Sequence, residues 1–576
     1  MSPVNSPAIP DAVKNEIANF TDKAATYRQG QIPDEEFRPF RLLHGVYGQR
    51  QADVQMMRIK IPGGQMSAAQ ARRLGDVARD YAPLGIGHVT TRQAVQIHFV
   101  KLENAPKVME ALAEVDVTTR EACGNAIRNI TTSPVAGISG DEIFDSYPYA
   151  MGAFRHLLRR PEFGNLPRKF KMAFNGSLHD YAQASINDVG LFAQTRIGEG
   201  GRVERGFRIK VGGGLGASPQ DAWLYSEFLP LDEVLPTLEA ILIHFNEKGE
   251  RKNRMAARIK YLIRKEGFET FKAEVAKIRE TLPKTIPFKL DAPLAEPVGT
   301  PGAFTPSEGP GQYKEWLRLN TWPQKQKGFR YAVIKLVLGD LTWKQFHTLA
   351  DLVQKYGHDN LRTSNDQNLM LPWVREEKLA ELYAELSAAG LAEIGPDLVG
   401  DVTSCPGADT CNLGLVSSRG LGAQLTETLA LGKEVSQDLK GTHIKISGCP
   451  NSCGQHHVGT FGFFGNVRKV AGADAPHFQM LIGGGISDTG ATFGRVIGRV
   501  PSRRVNAAVK LFVDKFRAEK QGEENLEAFL RRMSLEDAEK LIEPLCEITS
   551  GDPELFKDNG NDENFVFDGL GASECA

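Results

Sequence analysis

The sequence is poor in cysteine, with seven thiols in 576 residues, which is too few for a disulfide-rich scaffold. It lacks an apolar run long enough to span a membrane, and its start, Met-Ser-Pro-Val-Asn-Ser-Pro, has neither the basic nor the apolar stretch of a secretory signal. It also lacks an excess of charge: 69 basic and 71 acidic residues leave a net charge of −2, which argues against a general nucleic-acid binder. We therefore expect a cytoplasmic protein of about two to four domains that binds neither membranes nor nucleic acids.

Most of the cysteine that is present falls in one window of the sequence. Cys405 and Cys411 enclose five residues, Cys449 and Cys453 enclose three, and 37 residues separate the two pairs. Four thiolates on two loops are what a [4Fe-4S] cluster requires, because each iron takes one thiolate. A zinc ion is an alternative, although structural zinc sites favour gaps of about two to four residues, and unpaired thiols are a third alternative.

A strand–helix–strand pattern occurs twice, about 270 residues apart. In each copy the first strand is followed by a capping box, then by an apolar helix face and a second strand. The first copy has strands at 56–61 and 89–99 with its box at Ser67 and Gln70, and the second has strands at 331–338 and 360–369 with its box at Thr342 and Gln345. The matching order predicts a duplicated unit.

The duplication continues beyond this unit. Segments 122–129, 169–174 and 207–214 have counterparts at 404–411, 443–448 and 478–485. Two homologous halves place equivalent loops on either side of a pseudo-two-fold axis. One half carries cysteines at these places and the other carries arginine and lysine. We therefore expect one shared site, with a metal end from the C-terminal half and an anion end from the N-terminal half.

Several separated motifs resemble one family. The cysteine spacing, the sequences Thr-Thr-Arg92-Gln, Arg128-Asn129 and Leu-Pro-Arg168-Lys169-Phe-Lys171, and the paired Gly-Gly-Gly strands are similar to those of nitrite and sulfite reductases that carry siroheme and a [4Fe-4S] cluster. The similarity runs from about residue 40 to 500. It implies a mixed α/β fold that is duplicated, with three domains and pseudo-two-fold symmetry around a central siroheme and [4Fe-4S] site.

The resemblance assigns roles to the cysteines. It implies that Cys405, Cys411, Cys449 and Cys453 hold the cluster, that Cys453 also binds the siroheme iron, and that Asn451 contacts the cofactors. It further implies a thioether bond between Tyr47 and Cys123, for which the alternative is a buried thiol beside an ordinary tyrosine.

The resemblance also explains the basic motifs. The family's distal pocket has two arginines and two lysines, and the matching residues are Arg92, Arg128, Lys169 and Lys171. These side chains would bind an anionic substrate, polarise its bonds and relay protons as its oxygens leave as water. Lysine at position 171 favours sulfite, and hence six-electron reduction to sulfide, over reduction of nitrite to ammonia. A non-catalytic iron–sulfur or zinc scaffold is the alternative from another functional class.

A basic stretch at 245–265 reads as an amphipathic helix. By the resemblance, Arg254, Arg258 and Lys260 in this stretch would contact siroheme carboxylates, whereas the ordinary interpretation is a solvated face. Two C-terminal helices are expected at 503–517 and 526–545. Cys546 and Cys575 have no partner at a ligand-like spacing, and we expect them to be non-ligand thiols.

The predicted domain boundaries follow the repeats. They are an N-terminal arm at 1–44, a first ferredoxin-like half-repeat at 45–118, a first siroheme-binding domain at 119–300, a linker at 301–317, a second half-repeat at 318–392, and a second siroheme-binding domain with the cluster at 393–576. No flavin or NADPH motif is evident, so a ferredoxin or a flavoprotein is expected to donate electrons. A ferredoxin would dock on basic residues near the cluster, for which the candidates are Arg419, Lys433, Arg468 and Lys469.

Overall fold

The computed structural model describes residues 8–291, 297, 309–430 and 437–569. Within these residues the strands form four five-stranded sheets and one two-stranded hairpin, and three large groups of buried apolar side chains form the cores. No helix in these ranges is both long enough and apolar enough to cross a membrane. Lys433, Cys575 and the start of the predicted linker, 301–308, lie outside the described residues.

The N-terminal part holds the first copy of the repeated unit. Its elements are α1 (Asp11–Arg28), α2 (Asp34–Leu43), β1 (Val46–Gly48), β2 (Val54–Ile59), β3 (Gln65–Met66), α3 (Ala68–Tyr81), β4 (Ile86–Val89), β5 (Val95–Lys101) and α4 (Ala105–Ala113). The predicted arm is helical, and its Phe20 and Phe37 are fully buried in the first core. Helix α3 begins at the predicted capping box, where the Gln70 N–H donates to Ser67 Oγ at 3.2 Å and the Ser67 N–H donates to Gln70 Oε1 at 2.9 Å.

The prediction of one strand at 89–99 is wrong. Two antiparallel strands, β4 and β5, are joined there by a turn at 90–94. The turn closes because the Thr90 N–H donates to Ala94 O at 2.9 Å and because Gln93 adopts a left-handed φ of 54°. Arg92 therefore lies in a turn, where its side chain is not tied to either face of the sheet.

The next part forms the first large α/β domain. Its elements are β6 (Thr131–Thr132), α5 (Tyr147–Leu157), β7 (Met172–Asn175), β8 (Val189–Ile197), β9 (Val203–Val211), β10 (Trp223–Pro230), α6 (Leu231–Lys248), α7 (Ile259–Glu266) and α8 (Phe268–Glu280). The sheet order is β10-β9-β8-β7-β6, in which β6, β7 and β8 are parallel and the others antiparallel. The predicted helix at 245–265 is wrong: α6 ends at Lys248, and α7 begins only at Ile259. The chain leaves the helix at Gly249, and Asn253 caps a short turn with its side chain.

The second copy of the repeated unit follows. Its elements are α9 (Tyr313–Asn320), β11 (Thr321–Pro323), β12 (Phe329–Ile334), β13 (Asp340–Thr342), α10 (Trp343–Tyr356), β14 (Leu361–Thr363), β15 (Leu369–Arg375) and α11 (Leu379–Ala388). Helix α10 begins at the second predicted capping box. The predicted strand at 360–369 is likewise two strands, since Gln367 turns the chain with a φ of 67°. Helix α9 starts inside the predicted linker and buries Trp316 completely.

The two copies build one domain together by exchanging edge strands. Strand β13 pairs with β4 in the sheet of the first copy, and β3 pairs with β14 in the sheet of the second. The resulting orders, β1-β2-β5-β4-β13 and β11-β12-β15-β14-β3, are equivalent. Buried side chains of both copies belong to one continuous core.

The last part repeats the α/β domain. Its elements are β16 (Thr403–Ser404), α12 (Ser418–Ala430), β17 (Ile444–Ser447), β18 (Phe461–Val470), β19 (Ala473–Ile482), β20 (Gly485–Ser487), β21 (Gly490–Thr492), β22 (Arg495–Pro501), α13 (Val505–Glu519), α14 (Leu526–Arg532) and α15 (Leu535–Cys546). The sheet order β16-β17-β18-β19-β22 has the same parallel and antiparallel pairs as the earlier sheet, which confirms the duplication. The predicted helix at 526–545 is wrong, because Ser534 accepts from the Asp537 N–H and starts a new helix.

Candidate functional site

The two cysteine pairs leave the same edge of one sheet. Cys405 comes directly after β16, and Cys449 comes two residues after β17, its parallel neighbour. Because the carboxyl ends of adjacent parallel strands lie together, the two loops emerge side by side. The Cys405 N–H donates to Ile446 O at 3.2 Å, and the Gly448 N–H donates to the Cys405 sulfur at 3.2 Å.

Residues 405–417, here called the first cysteine loop, are also held by the N-terminal half. Arg50, in the turn between β1 and β2, donates its backbone N–H to Thr410 O at 3.0 Å and its Nη2 to Gly414 O at 2.7 Å. Gln51 Nε2 donates to Asp409 O at 2.7 Å. The loop is therefore fixed between the two halves of the chain.

The chemistry of the four sulfurs fits a cluster. All four are thiols, and burial raises the pKa of both Cys405 and Cys449, with the charge of Cys453 raising each further. Thiolates that raise one another's pKa need nearby cations, which bound iron supplies. Within the described ranges no three His, Cys, Asp or Glu side chains form a site for a single ion. In a [4Fe-4S] cluster each thiolate binds a different iron, so its four sulfurs do not have to converge on one centre as zinc ligands do.

Gly454, the neighbour of Cys453, has no room for a side chain. A Cβ at this position would lie 1.8 Å from Ile446 O in β17. We expect Gly454→Ala to push the Cys453 loop away from the strand end and to lower the iron content of the purified protein. The matched control is Gly140→Ala, where a Cβ meets nothing within 4 Å. Equal iron content in the two variants would show that the loop tolerates this displacement.

Arg92 and Arg128, the two arginines of the predicted anion end, use some of their N–H donors to bind the surrounding protein. Arg92 donates Nη1 to Asn187 Oδ1 at 2.7 Å and Nη2 to Met172 O at 2.9 Å. Arg128 donates Nε to Gly124 O at 3.2 Å and Nη1 to Ala122 O at 3.0 Å. The remaining donors, Arg92 Nε and Arg128 Nη2, are buried and have no hydrogen-bond partner among the described residues. Buried donors of this kind need an acceptor, and an anion supplies one.

The two lysines precede β7 at alternate positions. The Lys171 backbone N–H donates to Asp188 Oδ2 at 2.8 Å, which fixes the start of the strand. Burial lowers the pKa of the Lys171 ammonium well below its ordinary value, and the positive charges of Arg92 and Lys169 lower it further. Burial also lowers the pKa of Arg92 to about 9, which leaves that guanidinium cationic at neutral pH. The basic residues are thus close enough to repel one another.

One large cavity collects these groups. It is lined by all four predicted cluster ligands and all four predicted basic residues, together with Tyr47 and Asn451. The space not filled by atoms, including the part open to solvent, is about 1360 Å³. The predicted cluster ligands and the predicted anion-binding residues therefore line one common space.

Another wall of the cavity was not predicted. It consists of polar side chains on β2, β4 and β5, namely Arg58, His88, Gln96 and His98. Gln96 and His98 alternate along β5, so they share one face of the sheet. Polar residues at every second position of an otherwise buried strand are the sequence signal that could have identified Gln96 and His98 as part of a site.

Three predicted cofactor residues do not line the cavity. Lys260 is buried and donates its Nζ to three carbonyl oxygens, those of Gly214, Leu215 and Ser218. Arg258 donates Nε to Asp188 Oδ1 at 2.9 Å, and Arg254 is exposed. Lys260 therefore binds the loop after β9, and Arg258 binds Asp188, the residue directly before β8. The contact of these residues with a cofactor stays a prediction.

Tyr47 and Cys123 pack together. They form one buried apolar group with Leu42 and Met56, and Arg58 Nη1 lies 3.5 Å from the Cys123 sulfur. The two residues thus belong to the same buried group, and the thioether between them stays a prediction.

The crosslink is tested by peptide mass. A digest of the purified protein is expected to give one joined peptide that carries Tyr47 and Cys123 and is lighter by one hydrogen from each residue. Cys123→Ser supplies the control, because it must give two separate peptides. Separate unmodified peptides from the wild-type protein would contradict the prediction.

Comparison with known proteins gives consistent matches. The chain matches the nitrite and sulphite reductase 4Fe-4S domain over residues 123–284 and 396–548, and the nitrite/sulfite reductase ferredoxin-like half domain over residues 47–115 and 322–389. It is 30% identical over 559 residues to an assimilatory ferredoxin-dependent nitrite reductase of Haloferax mediterranei, covering 93% of this chain and 92% of that protein. It is 32% identical over 447 residues to a ferredoxin sulfite reductase of Mycolicibacterium paratuberculosis, covering 76% of this chain and 75% of that protein. The solved structure of the Mycobacterium tuberculosis NirA protein superposes with a TM-score of 0.77 at 27% identity, covering 91% of this chain and 95% of that one.

Proposed function

Because the chain belongs to the nitrite and sulfite reductase family, we propose that it reduces sulfite to sulfide with six electrons, using siroheme and a [4Fe-4S] cluster. What supports this activity is that four thiols and four cationic side chains line the same cavity, and that two of the cations have a buried donor without a partner among the described residues. A non-catalytic scaffold would have no use for these cations beside its thiols.

The residues that line the cavity suit both the [4Fe-4S] cluster and siroheme. Cys405, Cys411, Cys449 and Cys453 would hold the cluster, and Cys453 would also bind the siroheme iron. Asn451 and the polar wall on β2, β4 and β5 line the same space, where hydrogen-bond donors suit a macrocycle rich in carboxylates. When bound, the two groups supply electrons to the substrate.

The cationic residues bind and orient the anion. The donors of Arg92 that contact Asn187 and Met172 hold the guanidinium in place before the substrate arrives. Arg128 is fixed in the same way by two carbonyl oxygens. Donors that are already oriented stabilise developing charge without the cost of rearrangement.

The lysines supply protons. Each substrate oxygen that leaves as water takes two protons, and Lys171 lines the same cavity as Arg92. Its buried ammonium gives up a proton more readily than an exposed lysine because the surrounding cations disfavour its charge. Lys169 would hold the remaining negative charge of the anion.

Nitrite is the second candidate substrate. The relative that covers 93% of this chain is a nitrite reductase, whereas the relative that is 32% identical is a sulfite reductase. We favour sulfite because a second ammonium at position 171 suits a dianion. Steady-state kinetics on both anions with one artificial reductant would decide between them.

The cofactors provide the first test of the activity. Purified protein is expected to be coloured, with a chlorin-type absorption spectrum, and to contain iron and acid-labile sulfide. A colourless protein that contains zinc would instead establish the scaffold alternative.

A ferredoxin is the proposed electron donor, since both relatives are described as ferredoxin enzymes. A flavoprotein is the alternative, and activity with each reduced donor would distinguish them. Of the predicted docking residues, Arg468 and Lys469 are exposed on β18, whereas Arg419 forms ion pairs with Asp340 and Asp409. We therefore propose that the donor docks on Arg468 and Lys469 rather than on Arg419.

We also propose a cytoplasmic location, because the reducing conditions of the cytoplasm preserve cluster thiolates.

A further inference from the structure

The chain folds back onto the first cysteine loop after the family match has ended. The matched 4Fe-4S domain stops at residue 548, and a short helical turn, Pro553–Phe556, follows it. Asp558 and Asn559, just beyond this turn, are 6% and 5% exposed. Polar residues this deeply buried near the end of a chain must satisfy their hydrogen bonds within the fold.

Asp558 accepts three hydrogen bonds from three parts of the chain. Its Oδ2 accepts from the Ser417 N–H at 2.7 Å, and its Oδ1 accepts from Ser502 Oγ at 2.8 Å and from the Asn559 N–H at 2.9 Å. Ser417 is the residue directly before α12. A carboxylate at this position also meets the positive end of the helix dipole, so charge and hydrogen bonding act together.

The same point of the chain is tied to a predicted cluster ligand. Ser418 Oγ donates to Cys405 O at 2.8 Å and lies 3.5 Å from the Cys405 sulfur. Ser417 Oγ donates to Asp409 Oδ1 at 2.8 Å, within the first cysteine loop. Asp558 is therefore linked to Cys405 by its hydrogen bond to Ser417, by the peptide bond from Ser417 to Ser418, and by the hydrogen bond from Ser418 to Cys405.

The backbone of this tail also packs tightly against α12. A Cβ on Gly420 would lie 2.1 Å from Asn559 O, so only glycine allows the tail to lie so close. Asn559 Nδ2 donates to both the carbonyl and the hydroxyl oxygen of Ser502, which anchors the tail on its other side. The tail is thus fixed on one side against Gly420 in α12 and on the other side by Ser502.

We propose that residues 553–559 are a clasp for the cluster and that Asp558 is a positioning residue, which holds Ser417 and Ser418 against Cys405 and slows the loss of iron. The inference rests on the [4Fe-4S] part of the proposed function. Asp558 does not line the cavity with the substrate-binding residues, so its effect is on retention of the cluster rather than on binding of the anion.

The test measures how fast a chelator removes iron from the purified holoenzyme. Asp558→Ala leaves the buried Ser417 N–H without its acceptor, and we expect iron release to become about tenfold faster or more. Asp558→Asn keeps one acceptor oxygen but loses the charge, so its release rate should lie between those of the wild type and the alanine variant. The matched control is Asp562→Ala, whose side chain is fully exposed a few residues further along, and it should release iron at the wild-type rate.

Two further readouts separate a clasp from general loosening of the fold. The EPR spectrum of the reduced cluster should change in Asp558→Ala, because the environment of Cys405 changes, while the far-UV CD spectrum of the holoenzyme should stay that of the wild type. Ser418→Ala, at the other end of this link, should speed iron release as well, and the double variant should be less affected than the sum of the two.

The outcomes are distinguishable. Wild-type rates in both Asp558 variants, or additive effects of Asp558→Ala and Ser418→Ala, would overturn the clasp while leaving the proposed function intact. If the alanine variant does not fold, the rate of the asparagine variant alone decides the question. A wild-type protein without iron and labile sulfide would overturn the proposed function and the clasp with it.

Discussion

Replacing Cys453 with serine is expected to abolish reduction of both sulfite and nitrite and to remove most of the iron and labile sulfide from the purified protein. A serine hydroxyl stays protonated at neutral pH and is a hard oxygen ligand, whereas iron–sulfur clusters select soft thiolates. The site has no spare thiol to take its place, since Cys405, Cys411 and Cys449 are the other cysteines that line the cavity among the described residues. The absorption spectrum, iron, sulfide and turnover with an artificial reductant give the result.

Cys546→Ser is the matched control for this experiment. Cys546 ends α15, packs against the third core, and has a pKa that burial raises, so it is a protonated thiol away from the cavity. We expect this variant to keep the wild-type spectrum and rates. If Cys453→Ser also keeps both prosthetic groups and couples them to turnover, the proposed site is wrong.

The repeated unit could be predicted because its signals are local. The capping boxes at Ser67 and Thr342 predict where α3 and α10 begin. In the structure both hydrogen bonds of each box are present. The exchange of β3 and β13 between the two sheets could not be predicted in this way. These strands are only two and three residues long, and their partners lie in the other copy of the unit.

The turn that carries Arg92 shows a different limit. Four consecutive polar residues, Thr-Thr-Arg-Gln, stand between the apolar residues of the two strands, but no glycine, proline or asparagine marks a turn. The break depends on Gln93, whose side chain donates to Thr132 O and Thr363 O and accepts from the Thr132 N–H. Tertiary hydrogen bonds from two distant segments thus stabilise a left-handed residue, and no local rule contains them.

The lining of the cavity was predictable where it consists of the cysteine and basic motifs, and the side chains that bind the backbone were less predictable. The cysteine spacing and the basic motifs identified eight residues that line one cavity. Lys260 was assigned to a cofactor by resemblance, because it lies in a basic stretch similar to one beside the family's site, and that contact stays a prediction. In the structure its Nζ donates to three carbonyl oxygens of the loop after β9, and main-chain acceptors leave no trace in a sequence.

Lys171→Asn is expected to lower kcat/KM for sulfite by about a hundredfold and to change that for nitrite much less, so that the preference between the anions shifts toward nitrite. The ammonium at this position is buried among like charges, and it is stabilised by a substrate that brings two negative charges more than by one that brings a single charge. An amide can still donate a hydrogen bond, but it adds no charge and supplies no proton. Kinetics on both anions with one artificial reductant measure the ratio directly.

Lys169→Asn is the control that separates charge from position. Lys169 lies two residues away in the same cavity wall, and its loss should slow both anions by similar factors, since each needs a cation there. The siroheme spectrum of both variants must match the wild type, so that a change in rate cannot come from loss of the cofactor. If Lys171→Asn leaves the ratio of the two kcat/KM values unchanged, the preference is set elsewhere. The polar wall of Arg58, His88, Gln96 and His98 would then be the next place to test, because these residues also line the cavity and can donate hydrogen bonds to a substrate oxygen.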